Sequence, residues 1–208
     1  MKPILDLGFP IYEFRYPDLD KVESVLTQVE EMEYSKNDIN VISEYPYYDA
    51  EMFTWFHKCL SLIRDKYYSE TIDLTIVDSW ANKTKMNQQH HFHHHPNSIV
   101  SGIFYLTDCE SSKTLFTHPN PWFKQCIFLR FAKMDHKDRN LKLAIKPEKG
   151  KLILFPSTIF HETEVLKENI IRYSISFNTF ITGYFPEVNS GLRLKITSSP
   201  IETFKKIY

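Results

Sequence analysis

Residues 71–80, TIDLTIVDSW, alternate Ile72, Leu74 and Ile76 with Asp73, Thr75 and Val77, and side chains that switch faces at every residue predict a strand. The sequence before this stretch has a different period. From Asp18 as N-cap, Leu19, Val22, Val25, Leu26, Val29 and Met32 recur at steps of three and four. From Asp49 as N-cap, Met52, Phe56, Cys59, Leu60, Ile63 and Tyr67 share one helical face as far as Tyr68. Each stripe predicts an amphipathic helix with a core-facing side. After residue 80, short strands are predicted over 99–107, 126–131, 141–146, 151–155, 172–179 and 192–197. Turn signals separate them at Pro96-Asn97, Asn120-Pro121, 147–150 (PEKG) and 189–191 (NSG). Two helices followed by many short strands predict a mainly β fold, a sandwich or barrel buttressed by N-terminal helices.

Composition narrows the class. A chain of 208 residues, 42% hydrophobic and 25% charged, suits one globular domain with a sizeable core. A net charge of -1 gives no electrostatic footprint for nucleic acid. No apolar run approaches the roughly 20 residues that cross a bilayer. The N-terminus, MKPILDLGFPIYEF, has an early Asp6 and no small-residue cleavage site, unlike a secretory signal. A cytoplasmic protein with no nucleic-acid or membrane partner is expected. Cys59, Cys109 and Cys126 lack CxxC spacing, which predicts buried thiols rather than a disulfide frame or a zinc finger. The GxGxxG, GxxxxGK[ST] and GxSxG patterns are absent, so dinucleotide, P-loop and α/β-hydrolase readings have no support.

Between two predicted strands lies Gln89-His90-His91-Phe92-His93-His94-His95-Pro96. In extended chain His93 and His95 point the same way, with His91 able to join them, while His94 points away. Two imidazoles at i and i+2 on the inner face of a barrel can reach one metal ion. A third ligand has to come from a distant strand, and His161, at the end of the stretch KLILFPSTIFH over 151–161, is the candidate. Eleven residues further on, Arg172 opens a strand and shares a face with Ser174. A guanidinium there can hold a carboxylate by a bidentate, charge-assisted pair. An inward arginine without an anionic partner is costly.

In that order and spacing, His93-x-His95, His161 and Arg172-x-Ser174 resemble the Fe(II)- and 2-oxoglutarate-dependent dioxygenases. The chain is most similar to the 2-oxoglutarate/iron oxygenase family related to prolyl 4-hydroxylases. That family carries a Trp-x-Asn segment, a His-x-x-His-x-His-Pro run, then Ser-Gly and an aromatic pair. This chain has Trp80-Ala81-Asn82, His90 to His95 with Pro96, Ser101-Gly102 and Phe104-Tyr105. It also has Phe155-Pro156-Ser157 ahead of His161, and Arg172-Tyr173-Ser174-Ile175-Ser176-Phe177-Asn178. The resemblance covers about residues 76–180.

The resemblance implies a double-stranded β-helix, a jelly-roll or cupin-like barrel. The expected organisation is a single domain over 1–208, with a helical flank over about 1–70, a core over about 71–183 and a C-terminal extension over 184–208. Iron is expected on His93, His95 and His161, with His90 or His91 able to replace one of them. His95 stands where most of the superfamily places Asp or Glu. The centre is therefore either three histidines or is completed by a carboxylate, Asp78 and Glu162 being the candidates by proximity in sequence. The resemblance further implies 2-oxoglutarate bound through its distal carboxylate to Arg172, Ser174 and Tyr105. The implied activity is a dioxygenase, a hydroxylase of a peptide residue such as proline, an amino acid or a small metabolite, with ascorbate as reductant. Cys109, His118 and His136 have no part in this scheme. Two other readings stay open: a cupin-like three-histidine enzyme that uses no oxoacid, and a non-catalytic barrel that has lost the cofactor.

Overall fold

The computed structural model describes residues 5–6, 10–42, 48–68, 70–117, 142–185 and 194–197. The strand predicted over 126–131, the turns at Asn120-Pro121 and 189–191, and Cys126, His118 and His136 lie outside these residues. The chain order opens with β1 (Leu5–Asp6), β2 (Pro10–Arg15), α1 (Leu19–Glu30), β3 (Ile39–Ile42) and α2 (Ala50–Tyr67). Next come β4 (Ile72–Thr84), β5 (Val100–Tyr105), β6 (Thr114–Thr117) and β7 (Lys142–Ile145). It closes with β8 (Lys151–Pro156), β9 (His161–Thr163), β10 (Arg172–Phe185) and β11 (Leu194–Ile196).

Both helices start where their caps predict. The Asp18 carboxylate accepts a hydrogen bond from the Lys21 N–H at 3.0 Å, and Asp49 accepts from the Met52 N–H at 2.8 Å, each satisfying one of the free donors of a first turn. The predicted stripes face the core. Val22, Val25 and Val29 are buried on α1, and Met52, Phe56, Cys59, Leu60 and Ile63 on α2, where Phe53 joins them. Leu19 and Tyr67 differ: they are the terminal residues of the two helices and stay 52% and 47% exposed.

The described strands form two antiparallel sheets, the architecture of a double-stranded β-helix. The larger runs β1-β2-β8-β5-β10-β4-β3 with β11 on the end of β10, and the smaller runs β7-β6-β9. Strands β4 and β10 both outrun their predicted ends because they are each other's partner, from Arg172 opposite Thr84 to Gly183 opposite Ile72. One bulge interrupts them. Asn178 faces Asp78 and Thr179 faces Ile76, which leaves Val77 unpaired and exposed.

Alternation splits the large sheet between two cores. One face presents Tyr12, Phe104, Leu152, Leu154, Tyr173, Ile175 and Phe177 to the helices. The other presents Ile11, Ile103, Tyr105, Ile153 and Phe155 to Phe116 and Ile145 of the small sheet. Burial on both sides explains why β8 reads as an unbroken apolar run rather than an alternating one. It also explains Gly102 on β5, which stands opposite Phe177. A Cβ there would lie 2.2 Å from the Phe177 ring, and that ring is itself packed 5.2 Å from Phe56. Gly102→Ala is expected to destabilise the fold by about 1–3 kcal/mol, read as a lower urea midpoint at unchanged slope.

Candidate metal centre

The segment between β4 and β5 is laid against β9 and its flanks by backbone hydrogen bonds. The Asn87 N–H donates to the Leu166 carbonyl at 2.8 Å, the Leu166 N–H to Gln88 at 2.9 Å, and the Thr163 N–H to His90 at 3.1 Å. His93 and His161 exchange both main-chain bonds, at 2.9 and 2.8 Å, and the His95 N–H donates to Ser157 at 3.0 Å. Between the His90–Thr163 and His93–His161 contacts, two residues, His91 and Phe92, stand against Glu162 alone. This bulge breaks the two-residue parity. His91 consequently does not follow His93 and His95 inward, and it is exposed.

One ligand nitrogen from each of His93, His95 and His161 lies within 4.8 Å of the other two. Their ring centroids are 4.3 Å (93–161), 5.0 Å (93–95) and 5.1 Å (95–161) apart. Nδ1 of His93 lies 2.8 Å from the His91 carbonyl, and Nδ1 of His161 lies 3.1 Å from the Ile159 carbonyl. A carbonyl accepts only from an N–H, so both rings carry their proton on Nδ1 and keep Nε2 as the free lone pair. His161 is buried against Phe155 and Phe116, with ring distances of 4.9 and 5.6 Å. Desolvation pushes its pKa down to about 3, with the neighbouring His93 adding to the effect. The same cause, again reinforced by His93, lowers His95 to about 4, and burial also lowers His93. The imidazoles are therefore neutral at neutral pH, so protons do not compete for the lone pairs.

His94 takes the opposite side and packs against Phe160, ring centroids 4.5 Å apart, as alternation predicts. His90 lines the cavity beside the cluster, with its ring 4.6 Å from that of His93. Among the described residues no carboxylate belongs to the group. Glu162 is paired with Lys142, and Asp78 stands opposite Asn178 at the β4 bulge. Three neutral imidazoles are a donor set that suits iron, zinc, copper or nickel.

The cavity beside the histidines has a volume of about 40 Å³ and is also lined by Asn82, Thr114, Arg172 and Ser174. Arg172, the first residue of β10, is 3% exposed. Its Nη2 donates one long bond, 3.5 Å, to the Thr114 hydroxyl, and its Nε is buried with no partner. The Tyr105 ring lies beneath it at 5.3 Å. No carboxylate is within ion-pair distance of it among the described residues. Burial lowers the Arg172 pKa, yet a guanidinium stays charged. A buried cation without an anion costs several kcal/mol, and the cavity is where an anion can reach it. The residues present thus fit a metal ion at one wall and a carboxylate at another.

Ser174 shares the cavity with Arg172 and is buried. Tyr105 sits behind the wall, its hydroxyl donated to Thr114 at 2.7 Å. Thr114 and Asn82 also line the cavity, without a role in the sequence reading. Thr114 lies on a strand of four residues, too short for its Thr114/Phe116 alternation to register as a period. Asn82, inside the Trp80-Ala81-Asn82 segment, stands opposite Ser174. Its Nδ2 donates to Ser176 at 3.0 Å, and its Oδ1 is buried without a partner.

The fold is that of a double-stranded β-helix. Residues 78–178 match the family described as "Putative 2OG-Fe(II) oxygenase", where 2OG is 2-oxoglutarate. That segment, which contains every predicted ligand, is similar to this family. No curated protein sequence matches it. Among solved structures it is similar to a Pseudomonas putida prolyl-4-hydroxylase, with 12% identity, TM-score 0.55, and coverage of 81% of this chain and 91% of that one. It is similar to HygX from Streptomyces hygroscopicus, determined with nickel and 2-oxoglutarate bound, with 13% identity, TM-score 0.57, and coverage of 83% and 82%. A third is the Trichoplax adhaerens prolyl hydroxylase in complex with a hypoxia inducible factor peptide fragment, with 16% identity, TM-score 0.54, and coverage of 84% of each chain. At such identities the likeness is one of fold. None of the described helices is long and apolar enough to cross a membrane.

Proposed function

We propose that this protein is an Fe(II)- and 2-oxoglutarate-dependent dioxygenase, a hydroxylase of a small-molecule or peptide substrate. His93, His95 and His161 would hold the iron, and Arg172 with Ser174 would hold the distal carboxylate of the oxoacid. The observation that carries the reading is Arg172, a buried guanidinium with no carboxylate partner among the described residues, in one cavity with three converging imidazoles. Bound together, Fe(II) and 2-oxoglutarate supply the power to activate dioxygen and break a C–H bond. The chain supplies position. Nδ1–H donation to the His91 and Ile159 carbonyls holds two imidazoles in the ligating tautomer. The apolar wall of Ile103, Phe116 and Phe155 keeps water from the site. Tyr105 supports the guanidinium from behind through its ring and through their common partner Thr114. We read the chain as one domain in which the N-terminal helices back the large sheet. A three-histidine enzyme without an oxoacid would have no use for an unpaired buried arginine.

The test needs no native substrate. Purified protein given Fe(II), ascorbate and 2-oxoglutarate in air is expected to form succinate slowly, with N-oxalylglycine suppressing the signal. No succinate together with no 2-oxoglutarate binding to the iron-loaded protein would overturn the proposal.

A further inference from the structure

The reverse side of the His93–His161 bridge carries a second cluster, aromatic rather than polar. Phe92 and Phe160 are 48% and 39% exposed, yet their rings are stacked at 4.9 Å with 14° between planes. The His94 ring meets Phe160 edge to face, at 4.5 Å and 70°. Phe160 thus touches the residues on both sides of His93, while its own chain neighbour is His161. The backbone at this point is tied by separate contacts rather than by a continuous ladder. Strands β2 and β8 share four consecutive partners and β5 and β8 share five, whereas His93 and His161 form an isolated bridge beside the bulge at His91 and Phe92. The flanking ties are single backbone bonds, Thr163 to His90 and His95 to Ser157, so the stacked rings add restraint against a twist about the bridge, and any twist separates the two imidazoles.

We infer that Phe92, His94 and Phe160 form an aromatic clamp that holds the histidine loop in register with β9. The clamp keeps His93 and His161 aimed at a common point before an ion arrives. These are positioning residues: they lie on the face opposite the ligand nitrogens and act through the backbone of their neighbours. Half-exposed rings bury too little surface to matter much to the core, so their effect falls on the centre rather than on the fold. The inference rests on the metal reading of His93 and His161.

Co(II) titrated into the full-length apo-protein, in competition with a chromophoric chelator, tests the clamp. The proteins compared are wild type, Phe92→Ala, Phe160→Ala, the double variant, Phe92→Tyr and His161→Ala, and apo melting temperatures are measured in parallel. One aromatic pair corresponds to about 3–10-fold in affinity, so each single Ala variant is expected to bind Co(II) that much more weakly. The double variant should be scarcely weaker than Phe160→Ala, because that variant already loses the Phe92 contact. Phe92→Tyr should restore wild-type binding, and the apo melting temperature of Phe92→Ala should move by less than about 2 °C. Binding within twofold of wild type in Phe92→Ala, while His161→Ala fails to bind, overturns the clamp and leaves the metal centre standing. Independent losses in the double variant, no rescue by tyrosine, or a larger fall in apo melting temperature also overturn it. Wild-type protein that binds no Co(II), or His161→Ala that binds like wild type, overturns the metal centre and the clamp with it.

Discussion

His161→Ala is expected to leave the protein without iron after dialysis, with affinity lowered more than about 100-fold. Loss of a group that merely orients a ligand already costs 10–100-fold, and His161 is itself a proposed ligand. His93→Ala should match it, since the two residues are paired through their backbones and each ring presents Nε2. His94→Ala should lose no more than the few-fold expected of a clamp residue, because its ring lies on Phe160. Metal content by plasma emission, on protein loaded anaerobically with Fe(II), reads all three. Equal losses at His93, His94 and His161 would contradict the face assignment. His95→Asp is the informative companion. It would recreate a set of two histidines and one carboxylate, and should keep iron where His95→Ala does not.

The second large effect is at Arg172. Truncating one partner of a buried charge pair costs about 2–5 kcal/mol, or roughly 30-fold to several-thousand-fold in affinity. Arg172→Ala is therefore expected to weaken 2-oxoglutarate by that factor while iron binding persists, as measured by calorimetry on the iron-loaded protein under argon. Normal oxoacid binding by this variant would refute the assignment. The apo-protein offers a second readout with the opposite sign. Because Arg172 is buried without an anion among the described residues, Arg172→Met removes a desolvated charge and keeps the volume, and its melting temperature should rise above wild type. A residue that costs stability empty and confers affinity filled is what a binding role predicts; a structural role predicts a fall.

Legibility in the sequence followed regularity. Asp18 and Asp49 mark their helix starts to the residue, because a cap is a local interaction between a carboxylate and an N–H three positions on. His93, His95 and His94 separate onto two faces as alternation requires. Parity failed at His91, where the bulge inserts a residue that no count along one strand can detect. It failed for the ends of β4 and β10 as well, since each is extended by pairing with the other. Thr114 was illegible for a different reason. Strands β6 and β9 span four and three residues, so neither builds a period, and Thr114 matters only through Tyr105 and Arg172, which reach it from elsewhere in the chain. Tyr105, which the resemblance implies at the oxoacid, and Arg172 share Thr114 as acceptor, and only the tertiary structure reveals that.

The bridge between His93 and His161 also bears on how the chain survives away from its fold. An ion held by both is a cross-link between segments separated by most of the barrel sequence, and like a disulfide it restricts the unfolded chain far more than the folded one. At a free-metal concentration about 100-fold above its dissociation constant, it adds about 2.7 kcal/mol to the stability. Loaded and stripped protein would then differ in lifetime as well as in competence: chelation would open the histidine loop to proteases, and supply of the ion would set how much of the chain persists.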